Sequence, residues 1–551
     1  YLNNTNYNYL QTNSSGDILL KYQSATKLAT TATGVDVTGT VVSDGMSTNT
    51  SGTSNFIAGV NAGNSIQSGG NYNVAVGDEA GTAITTSDYN TVVGYAAGTA
   101  INTGGDNTIV GGLAADALTT GFNNVAMGRN ALSTEDTGRY NVAIGMNTLR
   151  DQNADVDNYN TAVGYAAGGD ITTGVRNTLI GGLAGDALTD GNDNIAIGYQ
   201  ALTADTQGDN SVAIGNNALF SQNGTNGNVY NVAIGKNAGF AVTTGVSNTL
   251  IGALAGDAIT TGNNNIAIGY QALTTNILSD KNVALGNYAL ASHTQGSSID
   301  SYNVGVGFEA GLLLTTGLEN TIIGGAAGDA LTDADFNVAV GTYALTTDTL
   351  GSKSTAIGAA ALNKQNFTSA TDSFNTAVGF SAGKEVTTGI YNTLIGGLAG
   401  DALTDADNNV AVGRAALSTD TLGSCSVAIG RNALVTQNFS SATDSFNVAV
   451  GDRAGAAVTT GTLNTLIGGL AGDAITTGNS NVAVGYQTLS ADTLGDRNVA
   501  IGLQALMSQN FTSSTDSYNT AVGYAAGLSV TTGQVNTLVG GLSGDALTTG
   551  G

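Results

Sequence analysis

Asn160-Thr-Ala-Val-Gly164, Asn265-Ile-Ala-Ile-Gly269 and Asn481-Val-Ala-Val-Gly485 state one phrase: Asn or Ser, three mostly apolar residues, then Gly. The phrase occurs twenty-seven times, from Asn73-Val-Ala-Val-Gly77 to the copy that starts at Asn536. Starts are 17 residues apart, except that every fourth step lengthens to 19, 20 or 21. A fixed short period over most of a chain marks stacked units, each touching only its neighbours. Function then rests on length, stiffness and surface presentation rather than on a catalytic pocket.

Four coil types recur in order. The first resembles Asn160-Thr-Ala-Val-Gly-Tyr-Ala-Ala-Gly168, and the second carries Gly-Gly-Leu-Ala-Gly-Asp-Ala-Leu, as at 181–188. The third carries Tyr-Gln-Ala-Leu, as at 199–202, and the fourth holds the extra residues. Six complete four-coil blocks run from 90 to 518, the last four of 72 residues each. Seventeen residues is too short for a helix pair. The expectation is an all-β parallel β-solenoid (β-roll) of about 27 coils, with two short strands per coil. The second strand would be a stretch such as Ala184–Asp190.

Glycine at the fifth position, as at Gly77, Gly164, Gly269 and Gly485, supplies a turn with positive φ or a close backbone approach. Asn at the first position, as at Asn73, Asn160, Asn265 and Asn481, suits the opposite turn or a stacked side-chain ladder; both roles stay open. Positions two and four are mostly β-branched. Position three is usually Ala, but Leu or Ile in most second-type coils, and no copy is polar there. Alternate strand residues face opposite ways, so both faces are expected to be buried. One lies inside the coil and the other against further copies, with small Ala at position three letting chains approach. A homotrimer follows as the simplest arrangement.

Residues 1–42 read as a β-rich segment, with strands at Asp17–Tyr22 and Gly34–Val42. Residues 43–72 are a Ser/Gly/Asn-rich transition, and 73–551 form the solenoid shaft. The chain opens on Tyr1 and stops partway through a repeat at Gly551. Solenoids need terminal caps, so it reads as a segment of a longer protein, its shaft incomplete at the C-terminal end.

Proline is absent from the 551 residues, glycine numbers 80, and only 10% of residues are charged. Proline cannot donate to a strand ladder, so its absence suits a backbone paired on both sides. The net charge of -26 disfavours nucleic acid and anionic lipid, and keeps long rods apart. No run of 18 apolar residues occurs, so no membrane-inserted segment is expected. One cysteine, Cys425, and one histidine, His293, build neither a disulfide framework nor a zinc site within one chain. Both read as surface or loop residues.

No catalytic, cofactor or metal site is expected. Gly379-Phe-Ser381-Ala-Gly383 matches a hydrolase nucleophile elbow, but sister coils carry Ala166 and Ala525 in place of the serine. The Gly-Gly-Leu-Ala-Gly-Asp phrase is close to a calcium β-roll repeat, yet its aspartates (Asp116, Asp186, Asp257 and their successors) come once per block. They read as turn carboxylates, with a shared cation site between three chains as the alternative. The lengthened coils carry Phe367, Phe374, Phe439, Phe446, Phe511 and Tyr518 among polar residues. These are candidate surface contacts, unless the aromatics before the next Asn anchor their own loops.

Asn210-Ser-Val-Ala-Ile-Gly215 resembles the motif in the heads of trimeric autotransporter adhesins, whose parallel β-rolls pack three chains with the motif strands inward. Lys27–Gly45 resembles a segment of phage tail fibres, particularly marine ones, which similar coils often follow. The resemblances imply the shaft of a phage tail fibre, located in the virion and self-associated as a trimer. Its N-terminal side would join other tail components, and a distal tip, not present here, would bind the host receptor. The alternative is a bacterial trimeric adhesin on the cell surface, with the repeat surface itself binding host or matrix.

Overall fold

The computed structural model describes residues 9–16, 18–22, 25–31, 34–37, 50–225 and 227–550. Near the N-terminus, β1 (Tyr9–Thr12), β2 (Ile18–Tyr22), β3 (Ala25–Thr31) and β4 (Gly34–Val37) form an antiparallel meander in sequence order. The expected strand over Gly34–Val42 is present as Gly34–Val37, and residues 38–42 lie outside the described residues. β1 and β3 have no counterpart in the sequence reading.

Twenty-eight three-residue strands then pair in parallel, each with the next, from Phe56–Ala58 to Thr537–Val539. Pairing follows the phrase without slip: Val142, Ala143 and Ile144 face Thr161, Ala162 and Val163 of the following coil. At about 4.8 Å per coil the rod is roughly 130 Å long. No helix occurs among the described residues. The solenoid begins one coil before Asn73, at Asn55-Phe-Ile-Ala-Gly59, within the stretch read as a transition. This copy follows the phrase, but its step to Asn73 is 18 and it opens on Phe rather than a β-branched residue.

Most coils carry only the motif strand; two-residue strands are added beside the lengthened coils, and the expected second strand over a stretch such as Ala184–Asp190 is not formed. The opposite half alternates left- and right-handed residues instead. In Gly181–Leu188, Leu183 (φ 58) and Gly185 (φ 55) are left-handed. Their N–H groups point in opposite axial directions, Leu183 to Tyr165 O of the coil below and Gly185 to Ala201 O of the coil above, both at 2.9 Å. Backbone groups therefore find partners without a second strand. The motif glycine turns the chain: Gly164 has φ 143, and a Cβ there would lie 2.4 Å from Gly181 O of the next coil.

The core is a single file of side chains, and two recipes fill it. Where position nine is Gly, as at Gly98 and Gly168, position twelve is an inward Ile, Leu or Val, as at Ile101 and Ile171. Where position nine is Leu, as at Leu202 and Leu219, position twelve is polar, as at Asp205 and Gln222, and equally buried. Second-type coils have Leu at position three because one such side chain fills two glycine gaps. A Cβ on Gly168 would lie 2.7 Å from Leu179 Cδ1, and one on Gly185 2.9 Å from Leu179 Cδ2.

Candidate functional site

The motif strand sets which face of the coil meets the outside. Position three points inward: Ala75, Ala162, Leu179, Ala267 and Ala483 are all fully buried. The expectation that Ala lets neighbouring chains approach is therefore corrected. Small Ala there makes room for the Leu or Ile of the same coil's opposite wall, since two large residues would overfill so thin a core. The outer face belongs to positions two and four. Ile266, Ile323, Ile395 and Ile467 stand 37–39% exposed, and rows of Val, Ile and Thr run the length of the rod.

The Asn at position one fills both roles left open. Asn464 accepts from Asn481 N at 3.0 Å in the next coil and donates to Gly478 O at 2.8 Å. The first bond builds an axial ladder; the second closes the coil. Ser replaces Asn only at Ser211, Ser354 and Ser426, all in fourth-type coils. There the extra residues move the closing carbonyl away, as the unpartnered Asn141 Nδ2 of another such coil shows.

A buried polar relay takes over at that level. Gln365 Nε2 donates to Asp348 Oδ2 at 2.6 Å and to Ser354 Oγ at 2.8 Å, while Gln365 Oε1 accepts from Asn375 Nδ2 at 2.9 Å. Asp420, Gln437, Ser426 and Asn447 repeat it. Burial pushes the carboxyls of Asp205 and Asp492, which hold the same place, above the usual carboxylate range. His293 stands where other fourth-type coils have Gln, above Asn276 where others have Asp or Glu. It is fully buried, so its reading as a loop residue is corrected, and neither ring nitrogen has a hydrogen-bond partner. Burial holds its pKa down to about 4.

The extra residues of the lengthened coils lie beside the preceding coil. Thr371–Asp372 pairs in parallel with Gly351–Ser352, and Thr515–Asp516 with Gly495–Asp496. The six candidate aromatics divide into two sets. Phe367, Phe439 and Phe511 are 4–5% exposed and anchor the loops, whereas Phe374, Phe446 and Tyr518 stand about half exposed at the corner before the next Asn. This reverses the sequence-based assignment of the anchors. At that corner Lys353 reaches Asp372 at 2.5 Å and sits 5.2 Å from the centre of the Phe374 ring. Lys281, Asp300 and Tyr302 repeat the cluster, as do Arg497, Asp516 and Tyr518. These ion pairs are 38–50% exposed, so solvent screens them and they add little to stability.

The once-per-block aspartates sit in turns. Asp186 and Asp257 accept from Thr203 and Thr274 of the next coil, while Asp116, Asp401 and Asp473 each keep one buried oxygen without a partner. Successive members are four coils apart, roughly 19 Å. Among the described residues no three His, Cys, Asp or Glu side chains are grouped to hold a metal ion. Ser381 is buried in a left-handed turn, with the sole histidine in another block. Cys425 is partly buried at the corner preceding Ser426. What the molecule offers outward is therefore a long apolar strand face edged by corner aromatics. Comparison with known protein families, with curated proteins and with solved structures finds no match.

Proposed function

We propose that this chain is the shaft of a phage tail fibre, in which three copies pack their motif strands around one axis. The carrying observation is the unbroken outer face of positions two and four. Two side-chain rows about 10 Å wide over roughly 130 Å present on the order of 1,300 Å² of face, apolar except for Thr at position two of twelve coils. A soluble monomer rarely exposes an apolar patch beyond a few hundred Å², and a standard interface takes about 800 Å² per partner. Copies of the same rod match this face in length and coil spacing. The shaft would hold a receptor-binding tip away from the virion, its stiffness coming from continuous axial hydrogen bonding.

Sedimentation of the full chain tests the assembly. Three chain masses are expected, and Ile323→Lys, Ile395→Lys and Ile467→Lys together should reduce the particle to one chain without loss of β circular dichroism. A monomeric wild type refutes the packing. The second reading, a bacterial surface adhesin, draws on the exposed corner aromatics. Antibody raised against the rod separates the two: the fibre reading expects label on phage particles, the adhesin reading on bacterial cells.

A further inference from the structure

The two edges of the motif strand differ in a way that this chain's own packing explains only in part: Tyr89, Tyr159, Tyr302, Phe374 and Tyr518 each meet a ring or a cation of a neighbouring coil, yet they stay about half exposed. At the corner before Asn, all seven first-type coils from Tyr89 to Tyr518 carry Tyr or Phe, each 47–57% exposed. Each is held at φ between 46° and 61°, a conformation that large side chains adopt at a cost. The same corner of other coils ranges from Asp106, Arg176 and Cys425 to Leu463, so the corner itself does not demand an aromatic. Nor does the lengthened loop, because Tyr89 follows an ordinary 17-residue coil.

On the other edge, position six of every second-type coil lacks a side chain beyond Cβ: it is Gly in six copies and Ala253 in the seventh. These glycines have no positive φ, and space is available. A Cβ on Gly325 would meet nothing within 4 Å, and on Gly397 only Phe380 O at 4.0 Å. In two blocks a third-type tyrosine lies alongside, Tyr199 near Gly182 and Tyr486 near Gly469. At Gly112 and Gly541 too, a Cβ would meet only a backbone oxygen, at 3.8 and 4.0 Å. A glycine without a conformational task raises the entropy cost of folding. Its recurrence therefore marks close approach by something outside the chain.

Knob and notch keep one relation throughout. Each aromatic precedes its notch by 23 residues, as Tyr89 does Gly112, Phe374 does Gly397 and Tyr518 does Gly541. The notch is thus on the opposite edge of the strand and one coil further along. A partner that filled both would need the same spacing of about 19 Å, which a second copy of this chain has by construction. Both edges also adjoin the apolar rows of positions two and four.

We propose that the corner aromatic of each first-type coil seats in the glycine notch of a second-type coil on the neighbouring copy. This inference rests on the multi-chain shaft proposed above. Edge-to-opposite-edge contacts are heterologous and close into a ring. Their role is axial register. Rows of Val and Ile repeating every coil tolerate a slip of one coil, about 4.8 Å, but knobs and notches coincide only once in four coils. The rod therefore locks at a single stagger.

Cross-linking of the full chain tests this. In a Cys425→Ser background, Phe374→Cys with Gly397→Cys and a short bis-maleimide should give covalent dimers and trimers on denaturing gels. Within one chain the two sites are separated by a strand of roughly 17 Å, beyond such a linker. Shifting the acceptor by one coil, Phe374→Cys with Arg414→Cys, should cut the yield several-fold. Gly325→Gln with Gly397→Gln, which the chain's own space accommodates, should weaken assembly at least tenfold with unchanged circular dichroism. A particle of three chain masses that cross-links equally in both registers, or that ignores the filled notches, overturns the knob-and-notch inference and leaves the shaft standing. A single-chain mass overturns both.

Discussion

Asn464→Ala removes one rung of the axial ladder, and its consequence follows from four bonds. The side chain accepts from Asn481 N at 3.0 Å and Asn481 Nδ2 at 3.2 Å, and donates to Gly478 O at 2.8 Å and Asn447 Oδ1 at 3.3 Å. Asn481 also loses an acceptor for its amide. The decisive losses are the Asn481 N–H and the Gly478 carbonyl, both in residues buried within the stack. Each such orphan costs about 1–3 kcal/mol, so the pair costs about 4 kcal/mol. In a solenoid the loss stays local. Hydrogen exchange near residues 464–498 should accelerate by roughly a thousandfold, while coils beyond one block keep wild-type protection. Asn498→Ser is the control. Asn498 closes no coil: its Nδ2 reaches only Asn481 Oδ1 at 3.1 Å, while its Oδ1 accepts from Asn519 N at 3.2 Å and Ser517 Oγ at 2.7 Å. In two of the three coils that already carry Ser, the hydroxyls of Ser373 and Ser445 accept from the next Asn N–H instead. It should cost less than about 1 kcal/mol. Equal protection in the two variants would refute the assignment of coil closure and ladder to the same amide.

Three further outcomes follow from the core. The His293 pKa of about 4 lies below the ordinary 6.5, so between those values the unfolded chain takes a proton that the folded coil refuses. Local stability around 282–302 should be full above pH 6.5 and fall as pH drops toward 4, by on the order of 3 kcal/mol, read by hydrogen exchange. His293→Gln should remove the fall, whereas Asp205 and Asp492, raised by burial, carry the opposite slope in their own coils. Ala411→Leu overfills a fully buried site and should cost about 1–3 kcal/mol in the thermal unfolding of the chain; an effect on assembly with unchanged unfolding would place position three outside. Phe367→Ala should free the 366–372 loop to limited proteolysis at a cost of about 3 kcal/mol, while Phe374→Ala leaves the loop protected.

Period, glycine turn and parallel stacking were legible because each repeats at a fixed offset and has one physical cause. The facing of the motif strand was not. Alternation says that position three differs from two and four, but with all three apolar it does not say which side is inside. That depends on the opposite wall, on Gly168 and Ile171 in one coil and Leu202 and Asp205 in another, a correlation eight to eleven residues away from the phrase. His293 was misplaced for a related reason. Within its own lengthened step it looks like a loop residue, and only alignment with Gln152, Gln365 and Gln437 at position twelve puts it in the core. The second strand was over-read: left-handed residues such as Leu183 satisfy the backbone by another route, and Leu carries no sequence signal for positive φ. The aromatics of the long coils resolved into buried Phe367 and exposed Phe374, a distinction that polar surroundings in the sequence conceal.

The most direct test of the multi-chain shaft is a transverse section through an electron cryomicroscopy map of the purified rod. Three coil profiles around one axis are expected, with density for Val, Ile and Thr of positions two and four meeting at the centre and Ala of position three enclosed within each profile. A single profile, or three profiles with their motif strands turned outward, would contradict the account.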